Sequence, residues 1–190
     1  MRFVLYLLMM CTVALGVGFG LSYYALNDGR MFGAVEIGPW AAWPDAGSPT
    51  PNPYTRSFLV REGELQLGQA EGIRFTASTD SAGDPLTRDC TYKVVGMTPL
   101  ATGWTLVALD EDGINIAAPD ADPVMRSNGL SRPNDGSIAI AIGKHLSAGN
   151  WLELSGDGPF RLVLSLYDTA TFSGFSSDSS MPAITKEACP

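Results

Sequence analysis

The side chains that could carry acid–base or nucleophilic chemistry are few in this sequence. His145 is its single histidine, and it lies in the segment GKHLSAG, residues 143–149, whose composition is typical of a loop. A serine, a histidine and an acid can form a catalytic triad, but no Gly-x-Ser-x-Gly elbow marks a nucleophile in this chain. We therefore favour a surface or structural role for His145 over a catalytic one, and we predict that the protein is not an enzyme.

The densest acidic cluster occupies residues 110–113, with the sequence DEDG. Alternate carboxylates bind calcium in EF-hand loops, but such a loop needs a glycine at its sixth position and a glutamate at its twelfth. Gly113 is the fourth residue of this cluster. A hairpin turn that carries solubilising charge explains the cluster better, so we predict no metal site and no cofactor.

The three cysteines indicate the redox state of the compartment in which the protein resides. Cys11 lies in an apolar run, where it is most simply an apolar side chain, whereas Cys90 and Cys189 lie in the polar remainder of the chain. Two such cysteines in an oxidising compartment suggest a disulfide, and the alternative is two free thiols in the cytoplasm. We predict the disulfide Cys90–Cys189, which would tie the C-terminus to the body of the domain.

The longest uncharged run comprises residues 3–27, directly after Arg2. About 20 apolar residues cross the hydrocarbon core of a bilayer. A cleaved signal peptide is the alternative, but its apolar part is about 7–15 residues long and ends at small residues, where this chain has Tyr23 and Tyr24. We predict an uncleaved single-pass anchor, residues 1–27, in the bacterial inner membrane, which contacts lipid through residues 3–27. Because positive charge favours the cytoplasmic side, Arg2 places the C-terminal domain in the periplasm.

Small residues recur every fourth position along the anchor in two rows, with Ala14, Gly18 and Ser22 in one and Thr12, Gly16 and Gly20 in the other. Such spacing allows close approach of two helices, which predicts a homodimer or a membrane-protein partner. Membrane helices also tolerate glycine without any packing role, and this second interpretation is the favoured one. The candidate packing residues are Ala14, Gly16, Gly18, Gly20 and Ser22.

The charge of the chain excludes one class of partner. The 190 residues carry a net charge of −8, and nucleic-acid binding requires a basic face that neutralises phosphate. We therefore predict no nucleic-acid partner.

Beyond the anchor, the chain divides into a connector and a domain. Residues 28–53 contain five prolines together with Trp40 and Trp43, and tryptophans in a linker imply a surface against which they bury. Pro53 and Gly63 bracket a predicted short amphipathic helix. Further on, apolar and polar residues alternate in several segments separated by glycine-rich turns, which predicts a β-sandwich or jelly roll over residues 54–190.

Several segments together resemble the DUF1214 family. The residues that carry the resemblance are 149–152 (GNWL), 158–168 (GPFRLVLSLYD), 104–106 (WTL), Asp110, Gly113, 135–137 (DGS), 53–56 (PYTR), 67–68 (LG) and 71–72 (EG). The match covers most of residues 36–189 and looks like the short membrane-anchored members of alphaproteobacteria. It implies a jelly-roll-like β domain and no established activity.

Two positions depart from the family's pattern. Glu153 stands where members commonly have proline, and Ser165 stands where they commonly have arginine. If that arginine holds an anionic ligand in relatives, this chain has lost it. We predict an envelope protein with a structural or interaction role. The alternatives are a small-ligand or glycan-binding domain, which would use His145, Trp151 and Tyr167 and could be hydrolytic, and an accessory subunit of a membrane complex.

Overall fold

A computed structural model describes residues 2–28, 33–63, 67–68, 70–168 and 180–189, and it is mainly β, with two sheets and two helices. The elements in chain order are α1 Arg2–Asp28, β1 Val35–Ile37, β2 Trp40–Ala42, α2 Pro53–Glu62, β3 Gly72–Ala77, β4 Thr91–Gly96, β5 Gly103–Leu109, β6 Met125–Arg126, β7 Ile138–Gly143, β8 Asn150–Glu153, β9 Arg161–Tyr167 and β10 Ala183–Ala188.

Helix α1 is apolar around its whole circumference. Its stretch Arg2–Leu26 has a mean hydropathy of 2.2, and none of that stretch is buried against the rest of the protein. A helix that is apolar on every side and unburied needs a partner other than water, such as lipid. Within the described residues this is the one helix long and apolar enough to cross a membrane, and a signal sequence has the same properties.

Two sheets share one apolar core. The first sheet has the strand order β1-β2-β3-β9-β5-β6, and the second has the order β10-β4-β7-β8. All neighbours are antiparallel except β7 and β8, which run parallel. Phe75, Leu106 and Leu164 of the first sheet and Val94 and Ile140 of the second belong to the same buried cluster. The prediction of a mainly β domain is therefore confirmed, while the finer jelly-roll topology stays a prediction.

The proline- and tryptophan-rich segment lies on the domain, because both tryptophans have partners there. The Trp40 side chain is fully buried, and its Nε1 donates a hydrogen bond of 2.7 Å to the carbonyl oxygen of Pro182. Trp43 stacks on Phe58 of α2 with ring centroids 4.3 Å apart. Strands β1 and β2 arise within this segment and extend the first sheet.

Helix α2 forms where the sequence predicts it. Asn52 caps its start, since its side-chain oxygen accepts hydrogen bonds from the backbone N–H groups of Tyr54 and Thr55. Gly63 ends the helix with φ of 64°, a left-handed conformation that glycine adopts without steric cost. The capping residues thus set both ends of the helix.

The C-terminal strand β10 is held at several points although it is far from its neighbours in sequence. The predicted disulfide Cys90–Cys189 is present and joins residues 99 positions apart. Ser81 exchanges two hydrogen bonds with Ile184, one through its backbone N–H and one through its hydroxyl oxygen. Lys186 forms an ion pair with Asp84 on the same turn. Together with the Trp40–Pro182 hydrogen bond, these contacts fix β10 as the outer strand of the second sheet.

Removal of the disulfide should destabilise the domain strongly. On the chain-entropy model, a loop of about 100 residues closed by a disulfide contributes roughly 4–5 kcal/mol. We expect the double substitution Cys90→Ser and Cys189→Ser to lower the free energy of unfolding by about 4 kcal/mol in urea denaturation. Cys11→Ser is the matched control and should leave that free energy unchanged. Equal stability of the double variant and the parent protein would show that the other contacts alone hold β10.

Candidate functional site

A polar groove lies on the outer face of the second sheet. Tyr92, Ile140 and Ile142 point into the core, so the residues that alternate with them along β4 and β7 face outward. On β7 these outward residues are Ala139 and Ala141, whose small side chains leave a depression between the larger neighbours. Its volume of about 470 Å³ lies within the range of about 300–1,000 Å³ that small-ligand sites occupy. We call it the alanine groove, and the lining residues on which we build are Thr91, Lys93, Arg132, Ala139, Ala141 and Glu187.

The charged side chains of the groove come from three different elements. Lys93 lies on β4 directly opposite Ala141, Arg132 lies in the loop before β7, and Glu187 lies on β10. In the part of the chain that the structure describes, neither cation forms an ion pair with a carboxylate. The groove therefore holds two cations and one anion, a local sum of +1 in a chain whose net charge is −8.

Three other cations of the domain are neutralised by neighbouring carboxylates. Arg126 pairs with Asp122 at 3.0 Å, and Lys186 pairs with Asp84. Lys144, at the start of the loop between β7 and β8, pairs with both Asp89 and Asp157. The hydrogen bond from Lys144 lowers the pKa of Asp157 and raises the pKa of Lys144 itself. Lys93 and Arg132 differ from these three cations in that they line the alanine groove and pair with no described carboxylate.

Asn150 holds one wall of the groove in place. Its side-chain oxygen accepts a hydrogen bond of 2.8 Å from the backbone N–H of Ser131. Its side-chain nitrogen donates to the carbonyl oxygens of Ser131, at 2.7 Å, and of Ala139, at 2.9 Å. Because this amide uses both its donors and an acceptor position, it clamps the loop before β7 onto the sheet. Arg132 directly follows the clamped residue.

The side chain of Arg132 rests on the core. Its guanidinium carbon lies 6.0 Å from the centroid of the Trp104 ring, a cation–π distance, and its Nη2 donates to the carbonyl oxygen of Ser127 at 3.2 Å. Trp104 is 3% exposed and faces the core, as its apolar sequence context predicts. The buried aromatic residue thus supports a cation at the surface.

Trp151 borders a separate cleft. Together with Glu153 it faces the loop that contains Asp120 and Asn128, and the cleft has a volume of about 470 Å³. The indole is half-buried, and its Nε1 donates a hydrogen bond of 3.1 Å to the carbonyl oxygen of Gly143, which fixes the ring. A fixed tryptophan beside carboxylate and amide groups can stack on a ring while the polar groups accept hydrogen bonds.

The other two candidate ligand residues lie elsewhere. His145 is exposed in the loop after β7 and does not line the alanine groove, and no described carboxylate pairs with it. Tyr167 lies on the outer face of the first sheet, 37% exposed, with its hydroxyl oxygen 3.2 Å from that of Thr105. The structure therefore does not bring His145, Trp151 and Tyr167 into one site.

Two further sequence expectations concern metals and the replaced arginine. Among the described residues, no group of three or more histidine, cysteine, aspartate or glutamate side chains could hold a metal ion. Ser165 is buried on β9 and lies opposite Arg74 of β3 on one side and Thr105 of β5 on the other. An arginine is thus present at this level of the sheet, but on the neighbouring strand.

The sequence pattern contained the signal for the alanine groove. Alternation of isoleucine and alanine along β7 predicts that one face is small, but it does not identify which loops stand beside that face. Lys93 and Arg132 are 39 positions apart in sequence, and only the pairing of β4 with β7 brings their elements together.

Comparison with known families gives one match. The family described as "Protein of unknown function (DUF1214)" matches residues 71–171, which is more than half of the chain. Among curated proteins, none matches the sequence.

Two solved structures are similar to this chain. The VPA0106 protein from Vibrio parahaemolyticus is 18% identical, with a TM-score of 0.58 over 71% of this chain. A putative uncharacterized protein from Burkholderia cenocepacia is 14% identical, with a TM-score of 0.44 over 66% of this chain. The chain spans only 35% and 32% of the lengths of these two proteins. At such identity the Vibrio protein supports the fold alone.

Substitution of Asn150 should loosen the groove wall. Asn150→Ala leaves the backbone groups of Ser131 and Ala139 without their partner, so we expect a loss of about 1–3 kcal/mol in the free energy of unfolding. Hydrogen exchange of the Ser131 amide should accelerate in the variant. Asn128→Ala, in the same region but outside this clamp, serves as the control. Unchanged exchange at Ser131 would exclude the clamping role.

Proposed function

We propose that this chain, which belongs to the DUF1214 family of proteins of unknown function, is a single-pass protein of the bacterial inner membrane whose β domain acts in the periplasm as an interaction module of the cell envelope. One observation supports the proposal above all others: an unburied apolar helix of membrane-spanning length precedes a domain closed by a disulfide. The helix supplies the anchor, and the disulfide suits an oxidising compartment.

Contacts at the end of α1 favour an anchor that is retained. Nη1 of Arg61 on α2 lies 3.4 Å from the carbonyl oxygen of Leu26, so the end of α1 lies beside the domain. Tyr23 and Tyr24 stand near the C-terminal end of the apolar helix, where aromatic residues are enriched at the membrane–water interface. Cleavage near these residues would remove the contact with α2.

The distribution of reactive side chains supports an interaction role over a catalytic one. His145 has no acidic partner among the described residues, and the acidic turn at 110–113 uses Asp110 to accept a hydrogen bond from the backbone of Ile114. The small residues of α1 form two rows on different faces of the helix, Ala14, Gly18 and Ser22 in one and Gly16 and Gly20 in the other, and each row offers a surface for a partner helix. A Cβ atom added at Gly16, Gly18 or Gly20 would meet nothing within 4 Å.

A second candidate function is glycan binding, and the Trp151 cleft favours it. A tryptophan fixed by a hydrogen bond and flanked by carboxylate and amide side chains is suited to stack on a sugar ring and accept hydrogen bonds from its hydroxyls. This candidate is compatible with the anchor, since a tethered domain can bind cell-wall components.

A C-terminal alkaline phosphatase fusion tests export. We expect enzymatic activity in cells for the full chain, because alkaline phosphatase needs an oxidising compartment for its disulfides. A variant with Leu8→Arg and Leu15→Arg should lose activity, since each arginine at the centre of the span costs about 2.5–3.5 kcal/mol of insertion free energy. An inactive but expressed parent fusion would contradict export.

Fractionation of the same cells separates anchoring from export. An active fusion that is released into the soluble fraction after loss of the N-terminal segment would show a cleaved signal.

Purification in mild detergent then distinguishes a solitary protein from an accessory subunit. A pure monomer with no associated chain would exclude a stable role in a membrane complex.

A further inference from the structure

We propose that the alanine groove binds a small hydroxylated carboxylic acid of the sugar-acid type, with its carboxylate paired to Lys93 and Arg132. The groove is separate from the Trp151 cleft, because the two share no lining residue. The inference is therefore independent of the glycan-binding candidate and of the membrane anchor.

The charge of the site favours a ligand that carries an anionic group. A chain with a net charge of −8 repels small anions in general, so an anion is held only where cations are concentrated. Lys93 and Arg132 line the same depression and lack carboxylate partners among the described residues, in contrast to Lys144 and Lys186. A ligand carboxylate supplies the partner that these two cations lack in the domain.

Arg132 is held in position before any ligand arrives. The Trp104 ring supports its guanidinium, the carbonyl oxygen of Ser127 accepts from Nη2, and the Asn150 clamp fixes the preceding residue. One of the five N–H donors is used in the bond to Ser127, which leaves others for a ligand. Fixing a side chain in advance lowers the entropy lost on binding.

Glu187 and the hydroxyl groups exclude a bare inorganic anion as the preferred ligand. The carboxylate of Glu187 repels a second negative charge but accepts hydrogen bonds from ligand hydroxyls. The hydroxyl-bearing residues Thr91, Ser131 and Ser147 also line the groove. The methyl groups of Ala139 and Ala141 form an apolar floor against which the C–H face of a sugar ring can lie. One acid group with several hydroxyls matches all these features.

Methyl NMR of the full chain in detergent micelles tests the inference directly. With ¹³C-labelled alanine methyl groups, the signals of Ala139 and Ala141 report on the groove, and that of Ala121 reports on the Trp151 cleft. The probes are glucuronate, glucose, which lacks the carboxylate, and cyclohexanecarboxylate, which keeps one carboxylate and a ring but lacks the hydroxyls. We expect glucuronate to shift the Ala139 and Ala141 signals saturably, and to bind about tenfold or more tightly than either other probe.

Variants assign the interaction to its residues. Lys93→Met and Arg132→Gln should each weaken glucuronate binding by about tenfold or more, because each removes a charged partner. Lys144→Met is the matched control, since Lys144 has the same charge but pairs with Asp89 and Asp157 outside the groove lining, and it should bind like the parent. The alanine methyl spectrum of each variant shows whether it is folded.

Four outcomes would overturn the inference. Equal binding of glucose and glucuronate would show that the carboxylate is irrelevant. Unchanged affinity in both groove variants would remove Lys93 and Arg132 from the site. A glucuronate-induced shift of Ala121 alone would place the ligand in the Trp151 cleft, which supports the glycan-binding candidate instead. If saturating probes shift none of the three alanine signals, neither site binds a ligand of this class.

Discussion

The tie between the C-terminal strand and the rest of the second sheet is the constraint on which the domain depends. Strand β10 pairs with β4 although about 90 residues separate them in sequence, so closing this contact costs more chain entropy than a hairpin. The disulfide Cys90–Cys189 removes much of that cost from the unfolded chain, and the Trp40–Pro182 hydrogen bond attaches the first sheet to the residue directly before this strand. The fold of the domain is therefore linked to its compartment, because the disulfide persists only where thiols are oxidised.

The same tie shapes the candidate site. Without β10, the strand β4 would become an edge, and Glu187 would leave the wall of the alanine groove. The opposite wall depends on Asn150, which clamps the loop that carries Arg132. The groove is thus assembled from elements far apart in the chain, and its floor is flat only because β7 alternates isoleucine with alanine.

Sequence patterns predicted the elements in which local signals agree with the fold. Alternation identified the segments that form β3, β4, β7 and β9, a more fully apolar run identified β5, and Pro53 with Gly63 marked α2. Strands β1 and β2 were not predicted, because they have three residues each amid prolines and form through pairing, β1 with β2 and β2 with β3. The candidate ligand residues were predicted only in part. Trp151 lines a cleft, whereas His145 and Tyr167 lie apart from it. Residue type alone does not indicate where a strand ends or which loops meet. The alanine groove needed the register of β4 with β7.

The oxidation state of the cysteines in living cells tests the central claim most directly. Cells that express the full chain are quenched in acid, and free thiols are labelled with a maleimide of high mass that shifts the protein on a gel. The chain has three cysteines, so we expect one adduct, on Cys11, before chemical reduction and three adducts after it. Three adducts without reduction would show that Cys90 and Cys189 are free thiols, and would contradict both the disulfide-closed domain and its location outside the cytoplasm.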